Sequence, residues 1–224
     1  TANPTVSFAE YAYANPYYRK RGTDGKVDRY LYYPEEGIDD FPVSNPLWNA
    51  SLNSWDRTGS FGFTNNFIFE WFMTEELRMR AKFGLSRTDD DEQTRLSPLH
   101  TQFDDMGETE KGLYTNTQIN QMVYEGDVAV TFGKLFAEKH MVNAVGGFNF
   151  SSSHQEVYGY AANGFTDDQF DAPSFANGYP SGEKPQYSES LKRAVSFYVN
   201  GGYVYDDRYL MDFNYRLDGA SMFG

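Results

Sequence analysis

The feature that most constrains this chain is the order of its connections, which run short, long, short, long, short between six segments of period-two sequence. In the first pair Phe61, Phe63, Phe67, Phe69 and Trp71 share one face, broken by Asn65, with Gly62, Thr64, Asn66 and Glu70 on the other. After a corner at Thr74-Glu75-Glu76-Leu77, Met79, Ala81, Phe83 and Leu85 alternate with Arg78, Arg80, Lys82, Gly84 and Ser86. In the second pair Met122, Tyr124, Gly126, Val128, Val130 and Phe132 alternate with Gln121, Glu125, Asp127, Ala129 and Thr131; beyond a turn near 137–140 come Val142, Ala144, Gly146, Phe148 and Phe150. In the third, Val195, Phe197, Val199, Gly201, Tyr203 and Tyr205 lead into Asp206-Asp207-Arg208, and Tyr209, Met211, Phe213, Tyr215 and Leu217 return. Period two specifies strands. Consecutive antiparallel strands place alternate connections at opposite ends, so the tight turns fall at one end and the long loops, 88–118 and 151–192, at the other. That asymmetry is the signature of an outer-membrane β-barrel, and apolar rows of five or six positions have the length a membrane-spanning strand needs.

Residues 74–87 also fit a helix capped by Thr74, with Leu77, Ala81 and Leu85 at helical spacing. A helix would spread Arg78, Arg80 and Lys82 around its surface, whereas a strand puts all three on one side, and the strand is preferred. Composition agrees with a barrel. No stretch of about eighteen apolar residues exists to form a transmembrane helix, and a barrel keeps its average hydropathy low because only every second residue faces lipid. The 18 Tyr, 19 Phe and 3 Trp make up 18% of the chain, an excess that suits interfacial girdles or sugar-binding surfaces. Trp71, Phe72, Phe132, Phe136, Tyr205 and Tyr209 sit beside the tight turns, where one girdle should run. A net charge of -13 argues against a nucleic-acid partner, and the absence of Cys excludes disulfides and thiolate metal sites.

The sequence divides at about residue 60. Residues 1–60 are dense in Asn-Pro, Asp-Gly and other turn dipeptides, which predicts a loop region at the cell surface with room for one short strand over Val6–Tyr13. Residues 61–224 predict part of an antiparallel transmembrane β-barrel with strands at about 61–73, 78–88, 119–133, 141–151, 193–205 and 209–218. Plugged transporter barrels have about 22 strands, so six amount to roughly a quarter of a wall, with edges that must pair with the remainder of the barrel. A start at Thr1 without Met, and an end just after a strand, are read as a processed chain or a piece of a longer one.

Several segments resemble a known family in order along the chain. They are Phe8-Ala-Glu-Tyr-Ala through Asn15-Pro-Tyr-Tyr-Arg19, Asn45-Pro-Leu-Trp-Asn-Ala-Ser-Leu-Asn-Ser54, Phe63-Thr-Asn-Asn-Phe67 with Glu70-Trp71, and Tyr205 through Arg216-Leu-Asp-Gly-Ala-Ser-Met-Phe-Gly224. Together these are similar to SusC-like TonB-dependent outer-membrane transporters. Ala220 and Met222 stand where that pattern has Ser and a basic residue. The resemblance implies import of a glycan or peptide across the bacterial outer membrane, with a SusD-like surface lipoprotein as partner and TonB acting through plug segments that this chain does not contain. It implies no enzyme activity and no cofactor.

The site residues follow from residue type. Trp48, Trp55, Tyr114, Tyr158, Tyr160 and Tyr179, with Tyr17 and Tyr18, are placed in long loops where aromatic faces can stack on ligand or pack against one another. Arg78, Arg80 and Lys82 would face a barrel lumen, guiding an anionic ligand or pairing with acids on adjacent strands or the plug. The acidic groups Asp89-Asp90-Asp91-Glu92, Asp104, Asp105, Glu108, Glu110 and Asp167, Asp168, Asp171 lack EF-hand spacing and predict solvated loops rather than a calcium site. Nothing apolar surrounds these acids to raise a pKa for glycoside hydrolysis. His100, His140 and His154 are isolated, without a zinc or serine-hydrolase motif, so no metal and no catalytic residue is assigned. The competing interpretation is a soluble β-sandwich that binds carbohydrate through exposed aromatics. It predicts a closed core formed by this chain alone.

Overall fold

The computed structural model describes residues 17–34 and 42–221. The proposed strand over Val6–Tyr13, the motif residues before Tyr17 and the terminal Met222-Phe223-Gly224 lie outside the described residues. The described elements are β1 (Tyr30–Tyr32), β2 (Val43–Ser44), α1 (Pro46–Ser51), β3 (Trp55–Phe72), β4 (Leu77–Leu96), β5 (Leu113–Phe136), β6 (His140–Asn163), β7 (Gln186–Tyr205) and β8 (Tyr209–Ala220). β3 to β8 form one six-stranded sheet in sequence order, a meander without crossovers, and β1 pairs antiparallel with β2. The segment 77–87 is strand, as the one-sided placement of its cations requires.

The hairpin corners follow from local backbone chemistry. Ala137 and Glu138 (φ 48° and 58°) and Asp206 and Asp207 (φ 50° and 53°) are consecutive left-handed pairs. That is the geometry whose twist matches antiparallel strands. Lys139 N–H donates to the Phe136 carbonyl at 3.1 Å and Arg208 N–H to that of Tyr205 at 3.0 Å, closing each turn. At the first corner the Thr74 hydroxyl accepts from the N–H groups of Glu76 and Leu77 at 3.3 and 3.1 Å. Lys134 Nζ lies 2.9 Å from Glu76 Oε1 and donates to it; this bond, then the Thr74 hydroxyl, holds the Glu76 carboxyl below its usual range. A carboxyl lowered in the fold contributes stability that is present above its ordinary value and lost as pH falls through its folded value. Glu76→Gln is expected to flatten the acid limb of the turn's stability below about pH 4, read as amide exchange at Met73 and Thr74.

Two compact parts emerge along the chain. The wall part comprises residues 61–89, 119–156 and 188–224, and the loop part residues 1–60, 90–118 and 157–187. In the wall part the apolar rows are exposed: Phe61 61%, Phe67 63% and Phe69 59% on β3, and Met211 67%, Phe213 59% and Leu217 57% on β8. Their opposite face is polar and paired across strands, with Arg80 Nε 3.1 Å from Glu70 Oε1 and the hydroxyls of Thr64 and Ser86 2.9 Å apart. All the buried hydrophobic residues described, Trp55, Phe103, Tyr114, Ala162 and Phe165, belong to the loop part. A soluble sheet would cover its apolar face with a second layer. Among the described residues the second sheet has two strands, which is too small for that role, and the sandwich interpretation is set aside.

The strands overrun their expected ends. β5 and β6 have 24 residues each, about 80 Å at the rise of an extended chain, where about ten residues cross a bilayer. The acidic run 89–92 is therefore part of β4 rather than a loop, and the loops between strands shorten to 97–112 and 164–185.

Candidate functional site

In the wall part the polar face is a lattice of charges. Arg78, Arg80 and Lys82 project to one side of β4, Arg80 paired with Glu70 and the other two without an ion pair among the described residues. On the same face Tyr198 of β7 lies over Gly147 of β6, and its hydroxyl donates to Asp127 Oδ2 of β5 at 3.2 Å. The ring occupies the volume a Cβ at Gly147 would need. Gly147→Ala is expected to displace the ring at about 1–3 kcal/mol, and the cost should vanish in a Tyr198→Ala background. Urea unfolding of the full-length protein in lipid would check this, and equal costs in both backgrounds would refute it.

The loop part is built around buried polar side chains. Asn45 is fully buried: its Oδ1 accepts from Leu47 N–H at 3.0 Å to cap α1, and its Nδ2 donates to the carbonyls of Lys20 and Asp28 at 3.0 and 2.6 Å. Asn-Pro at this point is thus a cap followed by proline at the first helical position. Trp48 Nε1 donates to the Leu99 carbonyl at 3.3 Å, and Asn49 Nδ2 donates to Thr101 Oγ1 at 2.9 Å. Arg29 and Tyr30 both bond the Asp104 carboxylate. Burial nonetheless raises the Asp104 pKa, against the opposing pull of Arg29 and Lys111. Arg95 is fully buried and donates to the carbonyls of Asn53, Asp168 and Phe170. Asn53 is joined to Asp168 from its other side, its N–H donating to Oδ2 at 3.2 Å. Above this node Phe165, 1% exposed, packs with Trp55 and Tyr114, and Tyr160 borders the cluster.

The aromatic candidates separate accordingly. Trp55, Tyr114 and Tyr160 lie on strands and pack together, with the Arg57 guanidinium 3.9 Å above the Trp55 ring; Trp48 anchors α1. Tyr158, which stands on β6 rather than in a loop, and Tyr179 present 42% and 53% of their surface, Tyr158 against Tyr187 with ring centroids 4.9 Å apart. Tyr17 is 91% exposed, and Tyr18 stacks on Tyr32. The selection of Trp and Tyr passed over the exposed stacked pair Phe170 and Phe175, at 4.8 Å and 27°.

The acidic run divides between the faces of β4. Asp89 pairs with Arg87 and Asp91 accepts from Asn116, while Asp90 accepts from Ser60. Alternation of successive side chains keeps these carboxylates from converging, and among the described residues no three His, Cys, Asp or Glu side chains are grouped to hold a metal ion. His100 Nδ1 accepts from Gln102 N–H, His140 meets the Tyr203 hydroxyl at 2.6 Å, and His154 meets Glu189 at 2.9 Å.

An exposed apolar face, a cross-paired polar face, tight turns at one end of every hairpin and folded loops at the other define a segment of an antiparallel transmembrane β-barrel wall. Comparison with known proteins agrees. No family model matches the chain. It is 25% identical over 182 residues to TonB-dependent receptor P26 of Formosa agariphila, a match covering 81% of this chain and 18% of that protein. Among solved structures it resembles a chain of the RagAB peptide transporter (TM-score 0.72, 19% identity) over 90% of its own length and 22% of that chain. It also resembles the RagAB peptide importer in its open-open state (TM-score 0.70, 17% identity). The sequence match agrees with the resemblance to TonB-dependent receptors indicated by the motifs, the structural matches show the same fold, and the chain spans less than a quarter of each of these matched chains.

Proposed function

We propose that this chain forms part of the wall and outer rim of a TonB-dependent importer in the outer membrane, taking up a peptide or glycan together with a SusD-like lipoprotein. The observation that carries the proposal is the two-faced sheet, exposed and apolar on one side, polar and cross-paired on the other. The apolar side meets lipid, and the polar side lines the lumen, where Arg78, Arg80 and Lys82 present positive charge to a passing ligand. At the rim, Tyr158, Tyr179 and the Phe170–Phe175 pair offer faces for ligand or for the lipoprotein cap. Trp48, Trp55, Tyr114 and Tyr160 support the rim from beneath. The resemblance to a peptide importer favours peptide as cargo.

The test uses the full-length protein in its native membrane with its partner present. Extraction should require detergent, the partner should co-purify, and bound material analysed by mass spectrometry should be oligopeptide or oligosaccharide. Arg78→Glu with Lys82→Glu should slow uptake of anionic cargo about tenfold while leaving assembly unchanged. Recovery from the soluble fraction without detergent would overturn the proposal.

A further inference from the structure

We infer that the apolar face carries a site for one phosphorylated, acylated lipid of lipid A type, seated in a groove across β6, β7 and β8 with its phosphate on Arg193. The inference rests on the proposal that this face is embedded in the outer membrane. The groove measures about 490 Å³ and is lined by Phe150 and Ser152 of β6, Arg193 and Val195 of β7, Gly219 of β8 and Ser221 just beyond it.

Depth places it. β7 and β8 pair from Tyr205 with Tyr209 at the tight turn up to Val195 with Gly219, ten residues further along each strand. Ten residues of antiparallel strand rise about 34 Å, and at a tilt near 40° about 26 Å, close to the height of the apolar band of an outer-membrane barrel. The groove therefore lies at the interface nearest the long loops, where the headgroups of the outer leaflet begin. Below it the apolar rows continue through Phe197 and Val199 on β7 and Leu217 and Tyr215 on β8. The Phe148 and Phe197 rings lie 4.9 Å apart, directly beneath.

The hollow is not a consequence of backbone strain. Gly219 has no positive φ, and a Cβ built there would meet Val195 Cγ1 at 3.5 Å, ordinary van der Waals contact. Among the described residues nothing near Gly219 requires glycine, and its missing side chain helps to open the groove.

Charge selects the headgroup. In a chain of net charge -13, no acidic residue lines the groove. Arg193 is exposed and has no ion-pair partner among the described residues. Its neighbours on the same face, His154 and Glu189, are 2.9 Å apart and engaged with each other. A guanidinium presents paired donors suited to phosphate oxygens, and at this depth a free one is otherwise left at the edge of lipid. The Ser221 hydroxyl accepts from Arg193 N–H at 2.9 Å, leaving its own proton to donate, and the largely buried Ser152 also lines the groove. Together these suit a phosphorylated sugar above acyl chains.

The test compares full-length wild type with Gly219→Leu, which fills the hollow, Arg193→Gln, which removes the cation, and Lys192→Gln, which removes a neighbouring charge on the other face. Each is extracted from outer membranes in mild detergent, and retained lipid is quantified by native mass spectrometry. A heat-modifiable band on electrophoresis reports barrel assembly separately, so absence of that band in wild type would count against the barrel itself rather than against the lipid site. The expected result is one lipid A-type molecule retained by wild type and by Lys192→Gln, and at least a fivefold reduction in Arg193→Gln and Gly219→Leu. If Gly219→Leu fails to assemble, Arg193→Gln decides. Equal retention in Arg193→Gln, or retention of phospholipid alone, would overturn the inference.

Discussion

Arg95→Ala is expected to open the loop part of the molecule at a cost of about 3–5 kcal/mol, while leaving the hairpins of the wall assembled. The side chain is fully buried, with its Nη2 donating to the Asp168 and Phe170 carbonyls at 3.0 Å each, its Nη1 to the Asn53 carbonyl, and Asp168 Oδ1 at 3.7 Å. Truncation leaves the Asn53 and Phe170 carbonyls without this donor and removes the charge that faces Asp168, whose carbonyl and carboxylate keep their bonds from Asn53. Unmet buried acceptors cost more than the net worth of the bonds themselves. Arg95→Lys should recover less than half of the loss, because one ammonium cannot reproduce the planar fork that reaches all three carbonyls. Amide hydrogen exchange over 164–178 and protease cleavage near Asp168 provide the measurement. Unchanged protection in Arg95→Ala would show that the node is incidental.

Gly164→Ala should have an effect of similar size from a different cause. Gly164 has φ +79°, a left-handed conformation that costs a residue with a Cβ about 1–2 kcal/mol. The new Cβ would also run into the Thr109 carbonyl and Asn177, and backbone cannot step aside as a side chain can. The N–H groups of Gly164 and Phe165 both donate to the Lys111 carbonyl, at 3.0 and 2.8 Å, so any shift withdraws Phe165 from between Trp55 and Tyr114. The combined cost is about 3 kcal/mol or more. Gly182→Ala is the control: its φ is +80° but its Cβ would meet nothing within 4 Å, and only the conformational cost remains. Quenching of Trp fluorescence by acrylamide separates the two variants. Equal quenching would mean that the contact with Thr109 is relieved without cost.

The wall was legible because lipid imposes contrast. Phe61 to Trp71, interrupted at Asn65 and Ile68, and Tyr209 to Leu217, interrupted at Leu210, otherwise alternate between apolar and polar over about the length that crosses a bilayer. Beyond the bilayer the contrast disappears. Along Arg87-Thr88-Asp89-Asp90-Asp91-Glu92 both faces of β4 are polar, so the strand continues with no alternation to betray it. The same loss hid Trp55, Tyr114, Tyr158 and Tyr160 as loop aromatics when they stand on strands. The nodes of the loop part were invisible for another reason. Arg95 reaches partners 42, 73 and 75 positions away, and Asn45 partners 25 and 17 positions away, and no local pattern encodes such meetings. The Asn-Pro at 45–46 reads in sequence as a turn, whereas its side chain caps α1, and its burial depends on Lys20 and Asp28 arriving from elsewhere.

The strand order β3-β4-β5-β6-β7-β8 has a consequence for how such a protein diversifies. Each strand finds its partner in its immediate predecessor, so register is set within a hairpin and is indifferent to the length of chain that links one hairpin to the next. Insertions and deletions in 97–112 or 164–185 can accumulate without renegotiating a single ladder bond of the sheet. Lineages of this architecture are therefore free to exchange their outer segments on an inherited frame.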